Sequence, residues 1–200
     1  MSRTTLAFDR RMVLKGAVAA VALAPGMSLA QSRADAILLT ISDLHAPYAR
    51  LPALLARIST LKAEAGSTPM ALLLNGDIFE RGNVVCLRSG GAADFAFLEA
   101  VAKEMPVVVN LGNHETAIFD DMTTFVARAD AAGVQVISNL MDKRRGRFFA
   151  PAYDSLGLGG LRVGLLGLAA VNPFVYRAPV RDTLDFFDPA GFVTEAFGEA

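Results

Sequence analysis

Three short polar clusters stand where apolar, strand-length runs give out, and their spacing constrains the fold more than any other feature. They are Asp43-Leu44-His45, Gly76-Asp77 and Gly112-Asn113-His114-Glu115. Asp43 lies 34 residues before Asp77, and Asp77 lies 36 before Asn113. A strand, a crossover helix and the next parallel strand need about 30 residues or more, so each interval is one such unit. Crossovers bring the carboxyl ends of parallel strands to one edge of a sheet, where open α/β folds bind ligands. Two carboxylates, an amide and two imidazoles are therefore expected to converge, and that donor set is metal-site chemistry.

The intervening sequence agrees with such units. Residues 36–42 are a continuous apolar run, as in a strand buried on both faces. Leu51, Leu54, Leu55, Ile58 and Leu61 follow at helical spacing, with Pro52 tolerable in a first turn. Strands are expected at 70–74, 106–111 and 134–138, and helices at 92–103 and 120–132, the last ended by Gly133. Residues 76–91 read as a polar, glycine-rich loop. Beyond Asn139 the pattern shifts to a turn at 143–147, a strand at 148–153, a turn at 157–160 and a strand at 162–168. Residues 172–188 read as short extended pieces. The expected class is α/β, mostly parallel at first and more antiparallel afterwards.

Two hundred residues suit one domain, and 53% hydrophobic against 20% charged residues excludes wholesale disorder. A formal net charge of −1 argues against a nucleic-acid polymer as partner. Cys86, the single cysteine, rules out an intrachain disulfide and a thiolate-rich zinc site, and reads as a small buried hydrophobe. Residues 1–30 read as an export signal peptide rather than part of the domain at 31–200. Arg10-Arg11 precede the apolar stretch 16–23, and Ser28-Leu29-Ala30 offers a small-residue cleavage site. The run is too short to span a bilayer of ~30 Å, so no stable membrane anchor is expected. The arginine pair resembles a twin-arginine signal, which implies export machinery as a partner and a periplasmic or secreted location. An ordinary secretory signal remains the alternative.

The order Asp-x-His, Gly-Asp, Gly-Asn-His-Glu resembles the calcineurin-like metallophosphoesterase superfamily over residues 36–168. Beyond Gly112 it is most similar to the 5′-nucleotidase and 2′,3′-cyclic phosphodiesterase branch. The resemblance implies a sandwich of two mixed sheets flanked by helices, here apparently truncated, and phosphoester hydrolysis at two divalent metal ions. Mn, Zn, Fe, Mg and Co all suit oxygen and imidazole ligands. It also implies that Asp43 and His45 hold the first metal, Asp77 bridges both, and Asn113 binds the second through its amide oxygen. His114 would protonate the leaving alkoxide or stabilise the transition state, and Asn113, His114 and Arg81 would face a small phosphorylated substrate, with nucleotides expected.

Two departures qualify the resemblance. The aspartate that orients the family's histidine is replaced by Ala117. Glu80, in Gly76-Asp77-Ile78-Phe79-Glu80-Arg81-Gly82, is the expected substitute, because that run resembles the protein-phosphatase branch. No histidine follows His114, although the family completes its metal shells from later histidines, so the chain reads as the front part of a longer enzyme. Two other readings fit the same residues: a dimanganese sulfur-compound hydrolase of this fold, and a non-catalytic metal- or phosphate-binding protein. The basic run 143–147 is expected to be a solvated hairpin turn rather than an anion-steering patch.

Overall fold

The computed structural model describes residues 34–197, so the expected export segment lies outside the described residues. Strands β1 (Ile37–Ile41), β2 (Met70–Asn75), β3 (Val107–Asn110) and β4 (Gln135–Ile137) pair in that order, all parallel. Their crossovers carry helices α1 (Leu51–Ala65), α2 (Val84–Ser89), α3 (Ala92–Ala102) and α4 (Met122–Ala131). Residues 76–91 are thus not wholly loop. The Asn83 side chain accepts hydrogen bonds from the Val85 and Cys86 amides and starts the six-residue helix α2. Helix α4 begins in the same way, with the Asp121 carboxylate accepting from the Thr123 amide at 2.9 Å.

The period-two alternation of the strands sorts their side chains to two faces. Leu72, Leu74, Val107, Val109 and Val136 join the core formed with Phe95, Leu98, Phe125 and Ala129 of the helices. Ala71, Val108 and Ile137 point the other way and pack with Leu156, Leu158 and Leu165. Those three come from an antiparallel hairpin, β7 (Tyr153–Leu158) and β8 (Leu161–Leu166). The parallel sheet therefore lies between helices and a second β layer. Each fully buried leucine or valine contributes ~1.5–3 kcal/mol. Strand β1, expected to be buried on both faces, is an edge strand instead. Its Leu38 is 41% exposed, because nothing among the described residues covers that side.

Two further expectations shift. The 148–153 strand divides between β6 (Arg147–Phe148) and β7, and the expected turn at 157–160 narrows to Gly159-Gly160. Gly157 stays in the ladder opposite Arg162. Residues 173–175 form a 3₁₀ turn and Ala178–Arg181 a short helix, α5, before strand β9 (Leu184–Asp185) and helix α6 (Pro189–Phe197). A small antiparallel sheet runs β6-β5-β9, where β5 is Met141–Asp142. Among the described residues, no helix is long and apolar enough to cross a membrane.

The basic hairpin is a clasp. Arg144 Nε lies 3.1 Å from Asp142 Oδ1, Arg145 Nη1 pairs with the same carboxylate, and Arg145 Nη2 lies 2.9 Å from Asp121 Oδ2. Asp142 is buried. Loss of water favours its neutral form, yet the hydrogen bonds from Arg144 and Arg145 hold its carboxyl below the usual range. A depressed folded-state value contributes stability above the unfolded value of ~3.9, and that stability is lost as pH falls through the folded value. Asp142→Asn should therefore cost about 1–2 kcal/mol near neutral pH, discounted because both arginines are partly in water. Denaturant titrations of both proteins should show the gap closing as the solution is acidified below about pH 4. A gap of constant size down to about pH 2 would mean that ionisation of Asp142 contributes nothing.

Candidate metal centre

The parallel register sets the site. Ile41 lies opposite Leu74, and Asn75 opposite Asn110, so β1, β2 and β3 release their chains at one edge. The emerging loops are cross-bonded. The Asp43 amide donates to the Gly76 carbonyl at 3.3 Å, that of His45 to the Asp77 carbonyl at 2.9 Å, and that of Ala46 to the Ile78 carbonyl at 2.8 Å. Asn110 Nδ2 adds a bond to Asn75 Oδ1 at 3.0 Å.

Two overlapping groups result. Asp43, His45 and Asp77 can each offer one ligand atom such that all lie within 4.8 Å of one another, and the same holds for His45, Glu80 and His114. His45 belongs to both. Its Nε2 lies 3.8 Å from Asp43 Oδ1 and its Nδ1 lies 3.2 Å from Glu80 Oε2. The rings of His45 and His114 meet edge-on with centroids 4.4 Å apart. Glu80 Oε2 is 3.7 Å from His114 Nδ1, so the substitute expected to orient His114 stands closer to His45. The Gly82 amide, 2.9 Å from Glu80 Oε1, is the main influence holding that carboxyl below its usual range, against desolvation and with help from both imidazoles.

The backbone is not extended where Asp43 and His45 converge. Asp43, His45, Ala46 and Asp77 have φ of 55°, 51°, 48° and 56°. Among the described residues these are all the non-glycine residues with positive φ. Each such residue costs on the order of 1–3 kcal/mol unless its surroundings over-determine it, and such strain gathers at functional sites. The left-handed kinks, rather than strand alternation, aim the two side chains together.

Sequence reasoning missed what over-determines them. Glu115 is fully buried, and its carboxylate accepts from three backbone amides: Gly112 at 2.7 Å, Ile78 at 2.9 Å and Asp77 at 3.2 Å. Burial pushes its carboxyl up to about 7, although those amides pull the other way. Asp77 Oδ1 in turn accepts from the His114 amide at 2.8 Å. Two glycines permit this approach. A Cβ on Gly76 would lie 2.6 Å from the Gly112 nitrogen, and one on Gly112 would lie 2.3 Å from Asp77 Oδ1. Tyr176, from the 172–177 segment, is buried, and its hydroxyl donates to the Ala170 carbonyl at 3.0 Å. Burial first, then the Asp77 and Glu115 carboxylates, holds its phenol neutral. Only the Glu in the third cluster carried any sequence signal; Tyr176 carried none.

Asn113 Nδ2 donates to the Val175 carbonyl at 3.2 Å, which commits the amide nitrogen and leaves Oδ1 free. Arg81 lines a cavity of about 130 Å³ with Asn113 and His114. Ala117 is buried, and no carboxylate stands there.

Residues 38–180 match the calcineurin-like phosphoesterase family. The chain belongs to that family. No curated protein matches it closely. Among solved structures it is similar to a 5′-nucleotidase precursor from Thermus thermophilus, at 24% identity and a TM-score of 0.59 over 80% of this chain and 33% of that one. It is similar also to Haemophilus influenzae NAD nucleotidase (NadN), at 21% and 0.58 over 80% and 31%. Thermus thermophilus sulfate thiohydrolase SoxB, in complex with glycerol, gives 19% and 0.55 over 73% and 26%. At these identities the likeness establishes the fold, and the chain spans about a third or less of each neighbour. Calcineurin-like phosphoesterases use two divalent metal ions, and the residues present fit such ions. The donors are oxygen and imidazole. Strained backbone aims Asp43, His45 and Asp77 at one point, and the Nε2 of His45, on the ring side away from Glu80, is the atom 3.8 Å from Asp43 Oδ1.

Proposed function

We propose that this chain is the metal- and phosphate-binding part of an exported, metal-dependent phosphoester hydrolase with nucleotide-type phosphate esters as substrates. The observation that carries this reading is the grouping of Asp43, His45 and Asp77 ligand atoms within 4.8 Å at one sheet edge, with His114 beside them. Asp43, His45 and Asp77 would hold one ion, and Asp77 with the Oδ1 of Asn113 would contribute to the other. When bound, the ions supply the Lewis acidity that activates water and draws charge from the phosphoryl oxygens. The chain does the rest. The Val175 carbonyl accepts from the Asn113 amide nitrogen, and Oδ1 is the atom that would serve as ligand. Glu80, at 3.2 Å, fixes the orientation of the His45 ring, as a carboxylate behind a ligating imidazole commonly does. His114 gives its proton to the departing alkoxide, and the second amide N–H of Asn113, the one not given to Val175, binds the phosphate. The twin-arginine-like segment at 1–30 supports export to the periplasm, and the nucleotidase neighbours support the substrate class.

The full-length protein, stripped with a chelator, should release no phosphate from adenosine 5′-monophosphate, and Mn²⁺ should restore release. Turnover that survives chelation would sink this reading. So would a metal-loaded protein that hydrolyses no phosphate ester.

A further inference from the structure

The 130 Å³ cavity beside His114 has walls that include Arg81, Asn113, Val175 and Arg177, but none of Asp43, His45 and Asp77. His114 is shared: its ring makes a T-shaped contact with that of His45, and the residue also lines this cavity. If His114 protonates the leaving oxygen, the cavity lies where the leaving group departs, so this inference rests on the reading above.

Two guanidiniums flank that space. Arg81 is exposed and has no ion pair among the described residues. Arg177 is anchored by a bond from Nη1 to the Thr116 carbonyl at 2.7 Å and by Nη2 at 2.9 Å from Asp120 Oδ1. Its Nε is buried with no acceptor, an unmet donor on a cation that calls for a partner. Asp120 is 76% exposed, so water screens its opposing charge. The cavity falls well below the ~300–1,000 Å³ that encloses a whole small ligand, so a substituent fits and a nucleoside does not.

We propose that this cavity receives an anionic substituent of the leaving group, a second phosphate or a carboxylate close to the scissile ester, held by Arg177 and Arg81. The reaction stays a hydrolysis. The bond from water oxygen to phosphorus forms, the bond from phosphorus to the leaving oxygen breaks, His114 supplies one proton to that oxygen, and water's proton passes to solvent. The same two cations oppose the charge that grows on the leaving oxygen.

Matched esters test it on the full-length protein with Mn²⁺. For a carboxylate the pair is 2-phosphoglycerate against glycerol 2-phosphate. For a phosphate it is adenosine 3′,5′-bisphosphate against adenosine 5′-monophosphate, with release of the 5′-phosphate followed. In at least one pair the anionic member should have a kcat/KM higher by about tenfold or more, and the pair that shows it names the anion. Arg177→Gln and Arg81→Gln should each bring that ratio close to one, and Arg177→Lys should keep part of it. A ratio is indifferent to how much enzyme folds or loads metal, and exposed Arg81 serves if the Arg177 variant fails to fold. Equal rates in both pairs, or an unchanged ratio in both glutamine variants, overturn the cavity assignment alone. Failure to hydrolyse any of the four esters overturns the parent reading and this one with it.

Discussion

Replacing Asp77 with asparagine will abolish turnover of 4-nitrophenyl phosphate by the Mn²⁺-loaded full-length protein and will strip its metal. Asp77 sits within ligand distance of Asp43 and His45, and one of its oxygens is fixed by the His114 amide at 2.8 Å. A bridging ligand must carry charge, because two cations held ~3.5–4 Å apart repel each other. An amide is neutral and offers one oxygen, so if Asp77 bridges two ions as proposed, Asp77→Asn would remove both the countercharge and half the bridge. His114→Ala makes the contrast. That ring meets His45 edge-on and lines the adjoining cavity. Its removal should leave metal content nearly intact while lowering kcat by about 10²–10⁴-fold, the usual worth of a general acid. Metal analysis beside kinetics separates the two roles. Equal metal loss in both variants would show that His114 is a ligand, a role its place beside His45 and Glu80 also allows.

Glu115→Ala should cause the largest loss of stability of any single change at the site. Three backbone N–H groups end on this carboxylate, and alanine leaves all three without an acceptor in a fully buried position. Each orphaned group costs ~1–3 kcal/mol, so the sum is several kcal/mol. A domain has only about 5–15 kcal/mol in total. Denaturant unfolding should show a lower midpoint at an unchanged slope. Glu115→Gln should fall between, because one oxygen still accepts while the amide nitrogen opposes an N–H. An alanine variant that unfolds within about 0.5 kcal/mol of the parent would mean that water replaces the carboxylate.

The parallel sheet was legible because its signal is long-range and regular. Intervals of 34 and 36 residues between polar clusters admit one strand-helix-strand unit each. The nearness of Asp43, His45 and Asp77 was legible for the same reason, although the local kinks that produce it were not. Side-chain periodicity does not report φ, and four residues adopt conformations that propensity disfavours. Helix α2 was hidden because six residues are too few to show a helical period. Glu115 had a visible place in the third cluster, but its triple acceptor role depends on two loops closing over it. Arg177 and Val175 belong to no motif. They reach Asn113 and Thr116 from about 60 residues downstream only after the chain has folded back.

The back-to-back approach of Gly76 and Gly112 decides where this site can vary. Two main chains touch there with no room for even a methyl group. New specificities would therefore be written on the cavity wall, at Arg81, Val175 and Arg177, where replacement of a side chain does not pry the strand ends apart. The chemistry is held by an immovable hinge pin, while the choice of what undergoes that chemistry is left to the door.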